Sequence, residues 1–353
     1  FSMMNDRLKD AFERTWDVDL AYSTQDGARY RVNVFQQRGN VGMVLRLIPP
    51  DVPPFEKLNL PKKVLALADE ERGLVLVTGI TGSGKSTTLA AMVDYINATR
   101  AVHIVTVEDP VEYAFKDRKS VINQREVGFD TTSFAKALRA ALRQDPDVVL
   151  VGEMRDHETT EIAMTAAETG HLVLSTLHTV DAVETVNRIV SLYPPHQQIQ
   201  ARLQLLTVLK GVVSQRLLSR ADGHGMVPAT EILVNTARVK ELIADPKRTR
   251  EIHDAIATGR DPYGMVSFDQ CLTELVQRKL VTYAEAASNA TNAADFALHF
   301  RGVSKGGSID TPAPQETGVN SPRPSAPAGG TQAGQSKAPG GDLEFQIDRF
   351  KNE

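Results

Sequence analysis

Two stretches near the start of the chain carry apolar residues at every second position. Tyr30, Val32 and Val34 alternate with Arg31 and Asn33, and Met43, Leu45 and Leu47 alternate with Val44 and Arg46. Arg38-Gly39-Asn40 lies between them with turn chemistry. The pattern predicts a β-hairpin within a small α+β piece over residues 1–50. Pro49-Pro50-Asp51-Val52-Pro53-Pro54 then bars helix and central strand, so 51–59 reads as a linker. From Leu60 to Val190 the pattern switches repeatedly between short apolar runs and helical periodicity. Strands are predicted over 74–78, 103–108, 147–152 and 171–177, with helices over 85–97, 133–143 and 157–169. The runs Val148-Val149-Leu150-Val151 and Leu172-Val173-Leu174 are apolar on both faces, as strands of a buried parallel sheet must be. Strands alternating with helices predict an α/β, doubly wound, mostly parallel sheet.

Residues 191–300 read as a helical subdomain packed on that sheet. Ile199, Leu203, Leu206, Val213 and Leu217 keep helical spacing, as do Phe268, Leu272, Leu275 and Val276. Residues 301–342 are rich in Pro, Gly, Ser, Thr and Ala. So little apolar surface cannot offset the entropy of ordering, so a disordered tail is expected. Apolar residues return in 343–353, where Leu343, Phe345 and Ile347 alternate, and a short tail anchor is the expectation there.

Composition narrows the function. A length of 353 residues with 41% hydrophobic residues supports about two domains with real cores. The net charge of −4 gives no general pull toward nucleic acid. The single Cys271 excludes an internal disulfide and any multi-cysteine zinc module, and fits a reducing cytoplasm. No apolar run approaches the roughly 18–20 residues needed to span a bilayer.

The sharpest chemical signal is Gly79-Ile80-Thr81-Gly82-Ser83-Gly84-Lys85-Ser86, which fits the phosphate-binding P-loop pattern. It follows the apolar run Leu74-Val75-Leu76-Val77-Thr78 and precedes a helical pattern beginning at Thr87, the order that pattern requires. Glycines let successive N–H groups converge on phosphate oxygens, and the helix N-terminus adds partial positive charge. Thr81 through Thr87 are therefore candidate nucleotide-binding residues. Lys85 would neutralise the β- and γ-phosphates, and the Ser86 hydroxyl would ligate Mg²⁺.

Hydrolysis also needs a metal-side carboxylate, a group that polarises water, and cations for developing charge. Asp147 to Glu153 is an apolar strand ending in an acid, so Glu153 is a candidate for the Mg²⁺ shell, directly or through water, with Asp156 capping the next helix. His103 to Glu108 delivers a second acid at a strand end, and Glu108 is the candidate base that orients water. Glu112 reads as a loop or interface residue. His171 and His178 flank a third strand. Seven extended steps separate them by roughly 23 Å, so both cannot reach one γ-phosphate. His178, at the ligand edge, is the candidate γ-phosphate sensor, and His171 reads as structural or interfacial. Arg29, Arg31 and Arg46 on the hairpin, with Arg188 further on, are candidates for neutralising charge, including from a neighbouring subunit.

Together these segments resemble the type IV pilus retraction ATPases (PilT/PilU type) of the secretion ATPase superfamily. The resemblance is carried by the P-loop, by Val107-Glu108-Asp109-Pro110-Val111-Glu112 (the family's Asp box), by Val149 to Asp156 (its Walker B element), and by Ala167 to His171 through Leu177-His178-Thr179 (its His box). Asn123-Gln124-Arg125-Glu126-Val127 and Gly264 to Gln270 also look like family segments. The resemblance implies a PAS-like N-terminal domain, partial here, joined to a RecA-like ATPase domain over 60–300. It further implies ATP and Mg²⁺, a homohexameric ring, and arginines such as Arg31, Arg46 and Arg188 around the nucleotide. Expected partners are an inner-membrane pilus platform protein and a paralogous retraction ATPase. The expected location is cytoplasmic, peripheral to the inner membrane.

The implied function is a motor that drives pilus retraction and twitching motility. A pilus-assembly or type II secretion ATPase is the neighbouring alternative, and those generally carry a four-cysteine zinc module. A nucleotide-dependent structural or regulatory subunit of a pilus motor is the alternative of another class, against which the intact acidic positions argue. The family's Ala-Ile-Arg-Asn-Leu-Ile-Arg-Glu segment is matched only loosely by Ala237 to Ala244, and the long Pro/Gly tail is atypical.

Overall fold

The computed structural model describes residues 3–25, 28–49, 51–300 and 302. The tail expected over 301–342 and the terminal apolar segment 343–353 fall outside them, Gly302 apart.

The chain opens with helix α1 (Asp6–Thr15), capped by the Asn5 side chain, which accepts the Leu8 N–H. Strands β1 (Asp17–Ser23), β2 (Arg29–Gln37) and β3 (Asn40–Ile48) follow as one antiparallel sheet in that order. The β2–β3 turn is Arg38-Gly39, both at positive φ, and Arg31 pairs with Arg46 in the register. This sheet has its own small core of Met4, Phe12, Leu20, Val32 and Val34.

After the proline-rich connection and helix α2 (Lys63–Ala68), the main sheet begins with β4 (Gly73–Thr78), buried at every position. Then come α3 (Lys85–Thr99), β5 (His103–Glu108), β6 (Val121–Glu126), α4 (Phe134–Ala141), β7 (Val148–Val151), α5 (His157–Glu168) and β8 (Leu172–Leu177). Helices α6 (Ala182–Ser191) and α7 (Gln198–Val208) lead into β9 (Leu209–Ser219) and β10 (Met226–Val234). The remainder is helical: α8 (Ala237–Ala244), α9 (Ile252–Thr258), α10 (Phe268–Gln277), α11 (Tyr283–Asn289) and α12 (Ala293–Phe300).

The sheet order is β10-β9-β4-β8-β7-β5-β6, parallel throughout except for β10, which runs antiparallel to β9. Side-chain alternation divides its apolar residues between two cores. Leu74, Leu76, Val149 and Val151 meet α4 to α9 on one face. Val75, Val77, Val148 and Leu150 meet α2 and α3 on the other. Burial on both faces is what makes these strands read as unbroken apolar runs.

One reading of the sequence needs correction. Val213 and Leu217 fit a helical spacing, yet both lie on β9, so 191–300 is helical only apart from the β9–β10 pair. A strand buried on both faces loses its period of two, and apolar residues four apart then fit either template. Edge strand β6 went unpredicted because Val121-Ile122-Asn123-Gln124-Arg125-Glu126 is mostly polar.

Candidate functional site

The strand order brings the ends of β4, β8, β7 and β5 side by side, and Glu108, Glu153 and His178 sit at or just beyond those ends. The loop after β4 turns on Gly79, Gly82 and Gly84, all at positive φ. At Gly79 any Cβ would collide with the Ser83 side chain and the Gln215 carbonyl. Gly84 is left-handed at φ 89° and serves as the N-cap of α3, whose first residue is Lys85. The Lys85 ammonium donates to the Gly79 and Ile80 carbonyls, both at 2.9 Å. Burial pulls its pKa down, while the Glu112 and Glu153 charges oppose that.

Ser86 and Thr87 are met by the loop after β5. The Ser86 hydroxyl donates to Glu112 Oε1 at 2.7 Å, and Thr87 Oγ1 lies 2.9 Å from the Tyr113 hydroxyl. Glu108 ends β5. Its Oε1 accepts from Thr106 Oγ1 at 2.6 Å and from Gln124 Nε2 at 3.2 Å. Burial raises its pKa above the ordinary carboxylate value, against those two donors and a hydrogen bond from the Glu112 backbone.

Glu153 lies two residues beyond β7 and is 8% exposed. Its Oε2 is 2.6 Å from Arg155 Nε and 3.4 Å from His178 Nε2. Between them Gly152 presses on the neighbouring strand: a Cβ there would stand 3.3 Å from Glu108 Cα and from the Val107 carbonyl. A larger residue would push the Glu108 and Glu153 backbones apart. Asp156 caps α5, accepting the Thr159 N–H at 2.8 Å.

These groups face one cleft of about 620 Å³, lined among others by Lys85, Ser86, Glu108, Glu112, Glu153 and His178. Thr81, Gly82, Gly84, Thr87 and Arg46 also border it. Ser83 does not, and its buried hydroxyl has no hydrogen-bond partner among the described residues. Arg188 borders a smaller adjoining cleft with Glu153, Arg155 and His178. Arg31 is not in either lining and stands 3.8 Å from Asp19 instead. His171 hydrogen-bonds the Ala166 carbonyl through Nδ1 at 3.0 Å, away from the cleft.

The residues fit a nucleotide triphosphate with a divalent cation. The glycine cradle supplies N–H groups at a helix N-terminus, Lys85 supplies positive charge, and Ser86 with Glu112 forms an oxygen donor pair suited to a hard cation. Among the described residues no group of three or more His, Cys, Asp or Glu could hold a metal unaided. The sequence marks Glu112 only as a loop or interface residue and gives Tyr113, Gln124 and Arg155 no individual role. Their roles come from contacts between loops, which no local spacing encodes.

The type II/IV secretion system protein family model matches residues 41–307. The type IV pilus retraction ATPase PilT of Pseudomonas aeruginosa is 45% identical over 290 residues, covering 82% of this chain and 83% of that protein. The type IV pilus ATPase PilU of the same organism is 40% identical over 298 residues, 84% of this chain and 77% of that protein. A crystal structure of the pilus retraction motor PilT with bound ADP superposes with a TM-score of 0.77 at 47% identity, covering 83% of each chain.

Proposed function

The chain is an ATPase of the type II/IV secretion system protein family, and we propose that it is the motor that retracts type IV pili. The observation that carries the reading is the convergence of Lys85, Ser86, Glu108, Glu112 and Glu153 on one cleft at the strand ends. Ser86 and Glu112, with Glu153 nearby, would hold Mg²⁺, which would offset the phosphate charge.

The chain's own groups do the rest. Backbone N–H groups from Thr81 to Lys85 grip the phosphates, and Lys85 Nζ exchanges its two carbonyl partners for phosphate oxygens. Ser86 and Glu112 would face the cation, and Glu153 would hold it directly or through water. Glu108, buried and oriented by Thr106 and Gln124 at Oε1, accepts a proton from the attacking water. His178, beside Glu153, registers whether a γ-phosphate is present. Arg46 and Arg188 neutralise developing charge, and Arg31 does so from a neighbouring subunit.

In this reading six copies form a ring at the cytoplasmic face of the inner membrane, docked on a pilus platform protein and working beside a paralogous retraction ATPase. No helix among the described residues is long and apolar enough to cross a membrane. Turnover in one subunit rotates its domains and draws pilin out of the fibre. Deleting the gene and counting surface pili tests the direction of the motor. Excess pili with lost twitching is expected, whereas a bald cell would make the protein an assembly motor.

A further inference from the structure

The N-terminal sheet and the main sheet have separate apolar cores, and a polar contact joins them beside the cleft. Arg29, the first residue of β2, places its guanidinium 3.8 Å from Glu126 Oε2, at the end of β6. The same carboxylate oxygen accepts the Val111 N–H at 3.2 Å. Val111 adjoins Glu112 in the loop after β5. Glu126 also pairs with Glu108 in the β5–β6 register, and the next residue, Val127, donates its N–H to the Glu108 carbonyl at 2.9 Å. Glu126 is only 8% exposed, while the Arg29 side chain is 35% exposed.

We propose that Glu126 is a positioning residue that ties the N-terminal sheet to the catalytic loop. One oxygen faces Arg29 on the N-terminal sheet and holds Val111 on the loop, so any displacement of the sheet alters the placement of Glu112 and Glu108. Conversely, a loop drawn toward nucleotide pulls Glu126 and, through it, Arg29. The charges around Glu126 agree with this. Burial raises its pKa, Asp130 adds to the rise, and the Val111 N–H, Arg29 and Arg31 oppose it. A buried carboxylate with these partners is costly to leave unpaired. The contact therefore favours the docked arrangement of the two sheets. It also gives Arg29 a role other than contacting phosphate.

The inference rests on the ATPase reading, and steady-state hydrolysis by the full chain tests it. Wild type, Arg29→Gln, Glu126→Gln, the double variant and Arg29→Lys are compared. Each single Gln variant is expected to lower kcat about threefold with KM for ATP unchanged, the double variant to match Glu126→Gln alone, and Arg29→Lys to recover most of the rate. Unaltered kcat in Glu126→Gln, or losses that multiply in the double variant, would overturn the tie. If Glu126→Gln does not fold, the half-exposed Arg29 decides: loss in Arg29→Gln with recovery in Arg29→Lys supports it, and equal rates overturn it. Absence of hydrolysis by wild type would overturn both the tie and the ATPase reading.

Discussion

The Ser86 hydroxyl donates to Glu112 Oε1 at 2.7 Å. The P-loop residue whose hydroxyl is placed to ligate a cation is thus bound to a carboxylate from the next strand's loop, not to Glu153, which is engaged with Arg155 and His178. Glu112→Gln keeps an acceptor for Ser86 but loses the charge that favours a divalent cation. Its hydrolysis should need about tenfold more Mg²⁺ for half-maximal rate, a difference of about 1.4 kcal/mol. A Mg²⁺ titration of the ATPase rate measures this, and an unchanged midpoint would remove Glu112 from the cation site.

Lys85 is buried with its ammonium on two carbonyls, so its position is set by the loop itself. Lys85→Ala should weaken nucleotide binding at least about tenfold, since charge-assisted contacts to phosphate are among the strong ones. A fluorescent ATP analogue titrated against both proteins gives the ratio.

Glu108 must be ionised to accept a proton, and burial raises its pKa. The rate should therefore fall on the acid side at a higher pH than an ordinary glutamate would give. Gln124 donates to its carboxylate and favours the ionised form. Gln124→Ala removes that donor, so the acid limb of the kcat profile should move further toward neutral pH. A limb that stays in place, or moves toward acid, would separate Glu108 from the proton transfer.

Glu231, on β10, accepts the Ala182 N–H at 2.9 Å, and its pKa is pushed up to about 7. Burial is the main cause; Asp181 and Asp269 act in the same direction, and the Ala182 N–H and Arg216 oppose them. The folded state thus holds this proton more tightly than the unfolded chain, whose ordinary value is 4.5. That stabilisation is fully present below pH 4.5 and is lost as the pH rises through about 7. The loss is on the order of 3 kcal/mol. Denaturant unfolding at pH 5.5 and pH 8 should show the wild type losing stability with rising pH by more than Glu231→Gln does. Equal slopes for the two proteins would contradict it.

The main sheet and its ligand edge were legible because burial on two faces leaves an unmistakable trace. Val148 to Val151 and Leu172 to Leu174 could hardly be anything but inner strands, and their strands lead to Glu153 and His178 on the rim. The P-loop was legible because phosphate binding fixes glycines at set spacing. The β9 strand was not, since Val213 and Leu217 satisfy a helical spacing by chance while packing on β4 and β10 decides their state. Glu112 was not, because its partner Ser86 is 26 positions away in sequence and the pairing depends on how the loop after β5 folds back. Arg31 is a candidate from its charge and the family resemblance; within the chain it stands 3.8 Å from Asp19, and no local spacing encodes a contact with a neighbouring subunit.

The central claim is that this cleft cuts ATP with Glu108 as the group that takes the proton from water. Steady-state ATP hydrolysis by the purified full chain, beside Glu108→Gln under saturating Mg²⁺, tests it most directly. The account predicts sustained turnover in the wild type, at least about a hundredfold loss in Glu108→Gln, and unimpaired ATP binding by that variant. Equal rates in the two proteins would contradict it.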